Sequence, residues 1–147
     1  MRIFARPHQI PPRVAAGVFI LNSGIGKAEA DEQTATGTHG MAVGTYPFLG
    51  KHDPRTFTDL LSKAEVALGV ALLAPMVPSL VAGAALTAFA GGLIGLYLKT
   101  PGMRQEGSLK PTPAGLGLAK DVWLLGIGLG LVLEELGDRV ASPYRGQ

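Results

Sequence analysis

The chain has 147 residues, of which 47% are apolar and only 16% charged, with a formal net charge of +2 and no cysteine. Scattered basic residues without a basic run or face exclude nucleic-acid binding, and the absence of cysteine excludes disulfides, thiolate metal sites and a cysteine nucleophile. A mean hydropathy of +0.29 is high for a soluble domain of this length. The composition therefore predicts a small integral membrane protein consisting of one domain.

The first predicted helix covers about residues 10–29. The uncharged stretch Val14 to Gly26 is only thirteen residues long. A membrane span needs about 20 residues, so it must reach beyond this stretch and bring Lys27 into the membrane or its boundary. The same region also fits a secretory signal, with Ala28-Glu29-Ala30 as an A-x-A cleavage site. The sequence leaves both interpretations open.

Residues 30–57 follow as a long connection rich in Gly, Thr and Pro, without the periodicity of an amphipathic helix. We expect a solvent-exposed loop between the first two helices. His39, His52 and Asp53 invite comparison with a metal site, but the two histidines lack the paired spacing of metal ligands. The sequence therefore predicts no metal site.

A membrane hairpin is predicted from the 33 residues Val66 to Leu98, which contain no charged side chain. A single helix of that length would run roughly 50 Å, whereas the hydrocarbon core of a bilayer is about 30 Å thick. Pro75 and Pro78 therefore mark a turn between two spans.

The two helices of this hairpin are placed at about 58–76 and 79–98. The first of them must extend back through Glu65 to reach the length of a span, so an ionisable group is drawn into the membrane. Thr58 or Asp59 is its predicted N-cap, because a short polar side chain there can accept a hydrogen bond from the first turn.

The last predicted helix covers about residues 115–135. Its uncharged run, Val122 to Leu133, is twelve residues long, so a full span also includes Lys120 and Asp121. Small-residue pairs in the last two helices are typical of close helix packing in lipid. These pairs are Gly91-x-x-x-Gly95 and Gly126-x-x-x-Gly130.

Antiparallel neighbours bring the ionisable groups of the predicted helices to one side of the membrane. The cluster consists of Lys27, Glu65, Lys120 and Asp121, with Trp123 nearby. Because a lone charge in hydrocarbon is costly, Glu65 should pair with Lys27 or Lys120. Two interpretations follow: an ion pair that only fixes packing, or a pocket for an anionic or quinone-like headgroup.

Nothing in the sequence indicates catalysis by the chain alone. The serines lack a His and Asp partner in a hydrolase context, and the adjacent Glu134 and Glu135 point to different helix faces, as at a solvated boundary. The three histidines lie outside the predicted helices, so no intrinsic haem is expected. The expected ligands are therefore limited to quinone or lipid.

Three short motifs resemble the DoxX family of small four-helix membrane proteins. They are Asn22-Ser23-Gly24-Ile25-Gly26-Lys27 in the first helix, Lys63-Ala64-Glu65-Val66-Ala67-Leu68-Gly69 in the second and Lys120-Asp121-Val122-Trp123-Leu124-Leu125-Gly126 in the fourth. The resemblance implies a four-helix bundle with both termini cytoplasmic and an association with membrane-linked redox systems. The long loop 30–57 departs from the family pattern. Charge alone does not decide the orientation, because basic residues are nearly balanced between the two sides.

The sequence thus predicts an all-α, four-helix transmembrane bundle in a bacterial-type plasma membrane, with lipid and other membrane protein subunits as partners. The leading hypothesis is a non-catalytic accessory subunit of a membrane-associated, redox-linked complex. The alternative is a quinone- or small-anion-binding subunit that takes part in oxidoreductase chemistry through Lys27, Glu65 and Lys120. A transporter is disfavoured because four short helices without an inverted repeat suit alternating access poorly.

Overall fold

Four long helices dominate the computed structural model, which describes residues 4–141. They are α1 (Ile10–Ala28), α3 (Pro54–Leu73), α4 (Ser79–Lys99) and α6 (Val122–Ala141). Each has 19 to 21 residues, a length of roughly 30 Å that matches the hydrocarbon core of a bilayer. Two shorter helices, α2 (Glu32–Thr45) and α5 (Leu116–Lys120), lie in the connections. The predicted all-α class is confirmed.

Helices α1 and α3 pack along one another in antiparallel directions. Glycines at the crossing let the two backbones approach closely, because a Cβ atom on Gly69 would lie 2.9 Å from the backbone nitrogen of Leu21. One turn further along the pair, the Ser62 hydroxyl donates a hydrogen bond of 2.7 Å to the carbonyl oxygen of Gly24. The two helices therefore form one closely packed pair.

Helices α4 and α6 form a second antiparallel pair, with Gly83 and Gly128 at the contact. A Cβ atom on Gly128 would lie 2.8 Å from the backbone nitrogen of Thr87. The apolar core lies where the two pairs meet. Its most buried large members are Ile20 of α1, Leu72 of α3, Leu86 of α4 and Leu131 of α6.

The glycines that were predicted at the contact between the last two helices do not lie at that contact. A Cβ atom on Gly91, Gly126 or Gly130 would meet no atom within 4 Å among the described residues. Gly95 does have a close neighbour, but that neighbour is the Tyr46 hydroxyl and not a long helix. The spacing of small residues identified the right helices but not their contact face, because both faces of α6 carry glycine.

The segment predicted as the loop 30–57 contains a helix, so that prediction was wrong. Helix α2 is capped by Asp31, whose side chain accepts a hydrogen bond of 2.8 Å from the backbone nitrogen of Thr34. This hydrogen bond holds the pKa of the Asp31 carboxyl below its ordinary value. The helix packs against α3 and α4 through small residues such as Ala35 and Ala42. Tertiary contacts therefore outweigh the weak helix propensity of its glycines and threonines.

The second helix, predicted at about 58–76, covers Pro54–Leu73 in the structure. Helix α3 begins at Pro54 and not at 58, because Asp53 accepts hydrogen bonds from the backbone nitrogens of the first turn and acts as the N-cap. It ends at Leu73, two residues before Pro75, since the residue preceding a proline favours extended backbone.

The last predicted helix, 115–135, is interrupted and longer than expected. Helix α5 ends at Lys120, and Asp121 separates it from α6, which continues to Ala141. The extra length carries Asp138, which together with Glu134 and Glu135 has partners on the N-terminal segment that are described below. Ion pairs with a distant segment are not visible in local periodicity.

Two stretches of the described chain, α4 and Leu116–Ala141, are long and apolar enough to cross a membrane. Only 28% and 22% of their most apolar windows are buried within the protein. A core helix of a soluble protein would bury most of such a window, so these faces need an apolar environment outside the chain. Large apolar side chains continue this exposed surface on all four long helices. Examples are Val18 and Phe19 of α1, Val70 of α3, Val81 of α4 and Leu133 of α6.

Candidate functional site

A buried ion pair joins α1 to α3 near the end of the bundle where α2 and α5 lie. The Lys27 ammonium is 3.0 Å from Oε2 and 3.1 Å from Oε1 of Glu65, and it donates a further hydrogen bond of 2.8 Å to the Ser23 hydroxyl. The Glu65 side chain is 4% exposed, whereas that of Lys27 is 25% exposed. The sequence offered Lys27 or Lys120 as the partner of Glu65, and in the structure the partner is Lys27.

Asp121 faces the same pair from the junction of α5 and α6. It is buried, and together with Ser23, Lys27 and Glu65 it lines a cavity of about 180 Å³. Three ionisable groups from three helices therefore share one small space. This combination was expected from antiparallel topology, because the ends of neighbouring helices meet at one side.

The other two members of the predicted cluster lie outside this space. Lys120 is exposed and forms no ion pair with any residue between 4 and 141. Trp123 is 70% exposed and points away from the cavity. The buried positions Asp121, Leu124 and Gly128 follow helical spacing, and Lys120 and Trp123 lie outside the stripe that they form, so both side chains are exposed. An exposed tryptophan at a helix end suits an interfacial anchor in a bilayer.

A larger cavity of about 380 Å³ lies between α2, α3 and α4 and reaches the Lys27–Glu65 pair. Its walls are almost entirely apolar, and the pair supplies the charged groups at one end. The side chains around it include Met41, Phe57, Leu61, Phe89 and Leu96. Such a cavity can hold an apolar tail while the polar end binds a headgroup.

Helix α2 forms one wall of this cavity and was missed from the sequence. Its Met41 and Ala42 face the space, and the Tyr46 hydroxyl after the helix donates a hydrogen bond of 2.8 Å to the carbonyl oxygen of Gly92 on α4. The N-cap pattern of Asp31 followed by Thr34 was the available sequence signal. His39 contributes to local packing instead of metal binding, since its ring lies against Phe57.

The opposite end of the bundle carries a buried arginine that the sequence did not single out. Arg13 is 1% exposed, and its guanidinium donates to five acceptors around the end of α3 and the turn that follows. These are the carbonyl oxygens of Ala71, Leu72, Ala74 and Val77 and the hydroxyl of Ser79, at 2.8–2.9 Å. The final carbonyls of a helix lack intrahelical partners and carry partial negative charge. Arg13 therefore caps α3 from α1.

A second group of contacts ties the N-terminal segment to α6 at the same end. Arg6 is 2.8 Å from Glu134, 3.1 Å from Glu135 and 2.6 Å from Asp138. Gln9 is also buried, and its amide donates to both glutamates. Glu134 and Glu135 were predicted at a solvated boundary, but a distant basic segment binds both. The start of α1 and the end of α6 therefore lie together, while the chain termini themselves are outside the described residues.

No protein family, curated protein or solved structure matches this chain. Among residues 4–141, no group of three His, Asp or Glu side chains is placed to hold a metal ion.

The contribution of the ion pair to stability is tested by Lys27→Met. We expect the free energy of unfolding to fall by about 1–2 kcal/mol, because Glu65 loses its charged partner while Lys27 is partly solvated. Adding Glu65→Leu to Lys27→Met should recover part of that loss, since the buried carboxylate is then also removed. Denaturant unfolding in detergent measures both variants. Equal stability of the wild type and Lys27→Met would contradict the pairing.

Proposed function

We propose that this chain is an integral membrane protein that binds an amphipathic small molecule within its helical bundle. The apolar part of the ligand occupies the cavity between α2, α3 and α4, and its headgroup lies at Lys27 and Glu65. A quinone-like molecule or a lipid has this division into tail and headgroup. The observation that carries the proposal is the apolar 380 Å³ cavity that ends at a buried ion pair.

The membrane setting of the proposal is supported by the outward-facing apolar surface. Helices α4 and α6 expose most of their apolar length, and α1 and α3 are long enough to cross beside them. In a four-span arrangement, Lys27 and Glu65 face each other between α1 and α3, as intramembrane charges require, and the partly exposed Asp59 and the exposed Lys63 lie in the half of α3 nearer its start. A bacterial-type plasma membrane and the DoxX-like resemblance remain part of this proposal.

Cavity blocking tests the proposal directly. We expect wild-type protein, purified in a mild detergent from its own membranes, to retain an amphipathic small molecule that mass spectrometry detects after extraction. In Ala88→Phe, an aromatic ring would occupy the cavity next to Ala88, and retention should fall by about tenfold.

The matched control is Ala85→Phe. Ala85 lies on the same helix and is exposed, but it does not line the cavity. This variant should retain the molecule as the wild type does. An empty wild-type protein, or equal retention by Ala88→Phe and the wild type, would contradict the proposed binding function.

A second candidate function is that of an accessory subunit in a membrane-associated, redox-linked complex. The feature that favours it is the Gly126 and Gly130 face of α6, which contacts no described residue of this chain and suits a helix of another subunit. Cross-linking in membranes should then attach a partner at Gly126→Cys but not at Leu131→Cys, because Leu131 is buried and faces α4. The two functions are compatible, since a bound ligand can serve a partner enzyme.

A further inference from the structure

A smaller cavity adjoins the larger one, shares Lys27 and Glu65 with it, and has more acidic than basic groups in its lining. Lys27 faces two buried carboxylates, those of Glu65 and Asp121, across a space of about 180 Å³. Lys120 is exposed and does not join them. One ammonium group therefore stands against two acidic side chains.

The hydrogen-bond donors in this space are already directed at Glu65. The Lys27 ammonium binds both Glu65 oxygens and the Ser23 hydroxyl, and the Ser23 hydroxyl in turn faces Glu65 at 3.4 Å. Among residues 4–141, no side chain donates a hydrogen bond to the carboxyl group of Asp121, which is 8% exposed. The Asp121 carboxyl oxygens are not fully enclosed by the protein, and they are open to the cavity, where a hydroxyl group of a ligand can reach them. The site has an acceptor that the protein itself does not satisfy.

This arrangement selects among headgroups by their hydrogen-bonding character. An anionic headgroup would meet two carboxylates in a confined space of low polarity, and a cationic headgroup would meet the Lys27 ammonium. A neutral headgroup with carbonyl oxygens only would leave Asp121 without a donor. A neutral hydroxyl group can donate to Asp121 without adding charge.

We infer that the site prefers an uncharged headgroup with hydroxyl donors, as in a hydroquinone ring, over an anion or an oxidised quinone. Asp121 is the acceptor for one hydroxyl group, and the Lys27–Glu65 pair binds the other polar edge of the ring. The inference rests on the proposed ligand-binding function and specifies the chemistry of the ligand. It also replaces the small-anion alternative, which counted Lys120 as a second cation in the site.

The experiment compares three probes that share a decyl tail: a hydroquinone, the corresponding quinone and an alkyl phosphate. The protein is reconstituted in phosphatidylcholine nanodiscs and titrated without oxygen, and binding is followed by the shift in unfolding temperature. We expect the hydroquinone to bind at least about tenfold more tightly than either other probe. Equal binding of hydroquinone and quinone, or tighter binding of the phosphate, would overturn the inference.

Asp121→Asn identifies the acceptor. An asparagine amide can donate to a quinone carbonyl, so this variant should lose most of the preference for the hydroquinone. The control is Asp59→Asn on α3, whose side chain is 44% exposed and, among the described residues, forms an ion pair only with Arg55, at 3.5 Å. It should leave the preference unchanged. An unchanged preference in Asp121→Asn would overturn the assignment of Asp121.

The two proposals fail in different ways. If neither ring probe binds while the wild-type protein retains another amphipathic molecule from its membranes, the hydroxyl preference is wrong and the binding function stands. If no probe binds and the purified protein is empty, the binding function is wrong and the inference falls with it.

Discussion

Replacing Arg13 with alanine is expected to prevent stable folding of the bundle. The change removes a guanidinium that donates hydrogen bonds to five acceptors at one end of α3 and in the following turn. The bonds to the Leu72 carbonyl oxygen and the Ser79 hydroxyl are buried and the other three are partly buried, so water can replace the lost donors only in part. We expect a loss of about 3–5 kcal/mol in the free energy of unfolding, measured by thermal or denaturant unfolding in detergent, because a buried acceptor left without its donor costs about 1–3 kcal/mol.

Two further variants separate the geometry of Arg13 from its charge. Arg13→Lys keeps the positive charge but cannot direct donors to acceptors on both sides, so it should recover only a small part of the lost stability. Arg139→Ala removes an exposed arginine near the end of α6 and should change stability by less than about 0.5 kcal/mol. If Arg13→Ala were as stable as Arg139→Ala, the capping role of Arg13 would be wrong.

Leucine in place of Gly128 is expected to separate α6 from α4. Even a single Cβ atom there would lie 2.6 Å from the Thr87 hydroxyl oxygen and 2.8 Å from the Thr87 backbone nitrogen. The backbone of a packed helix cannot shift far without breaking other contacts. We expect a destabilisation of about 3 kcal/mol, which is at the upper end of the usual cost of overpacking.

Gly126→Leu is the matched control for this prediction. Gly126 lies two residues earlier in the same helix, and a Cβ atom there would meet nothing within 4 Å. Both substitutions gain similar helix propensity, so the difference between them reports the contact with α4. Unfolding in the same detergent should place Gly126→Leu at or above wild-type stability. The reverse order would assign the packing face to Gly126 and Gly130, as the small-residue spacing suggested.

The positions of the long helices were largely predictable because their causes are local. An uncharged run of 33 residues with two prolines near its middle predicts two helices and the turn between them, and α4 follows that prediction to within one residue. The boundaries of α3 and α6 were less predictable. The N-cap at Asp53 competed with two equally suitable capping residues, and the end of α6 depends on contacts with the N-terminal segment.

The candidate site was also predictable from the sequence only in part. Glu65 needed a partner as soon as span length placed it within a helix, and antiparallel order limited that partner to two lysines. The choice between them required the rotation of the last helix about its axis. Asp121 lies on the buried face of that helix, whereas Trp123, two residues later, lies on another face.

By itself, the sequence determined the all-α class, the apolar helices and the need of Glu65 for a partner, since each follows from composition and spacing along one segment. Only the tertiary structure decided that α2 closes a cavity, that Arg13 caps α3, and that Gly128 and not Gly126 packs against α4. These features depend on which faces of distant segments meet. Contacts of that kind lower the free energy only after the chain has folded, so they leave little trace in local periodicity.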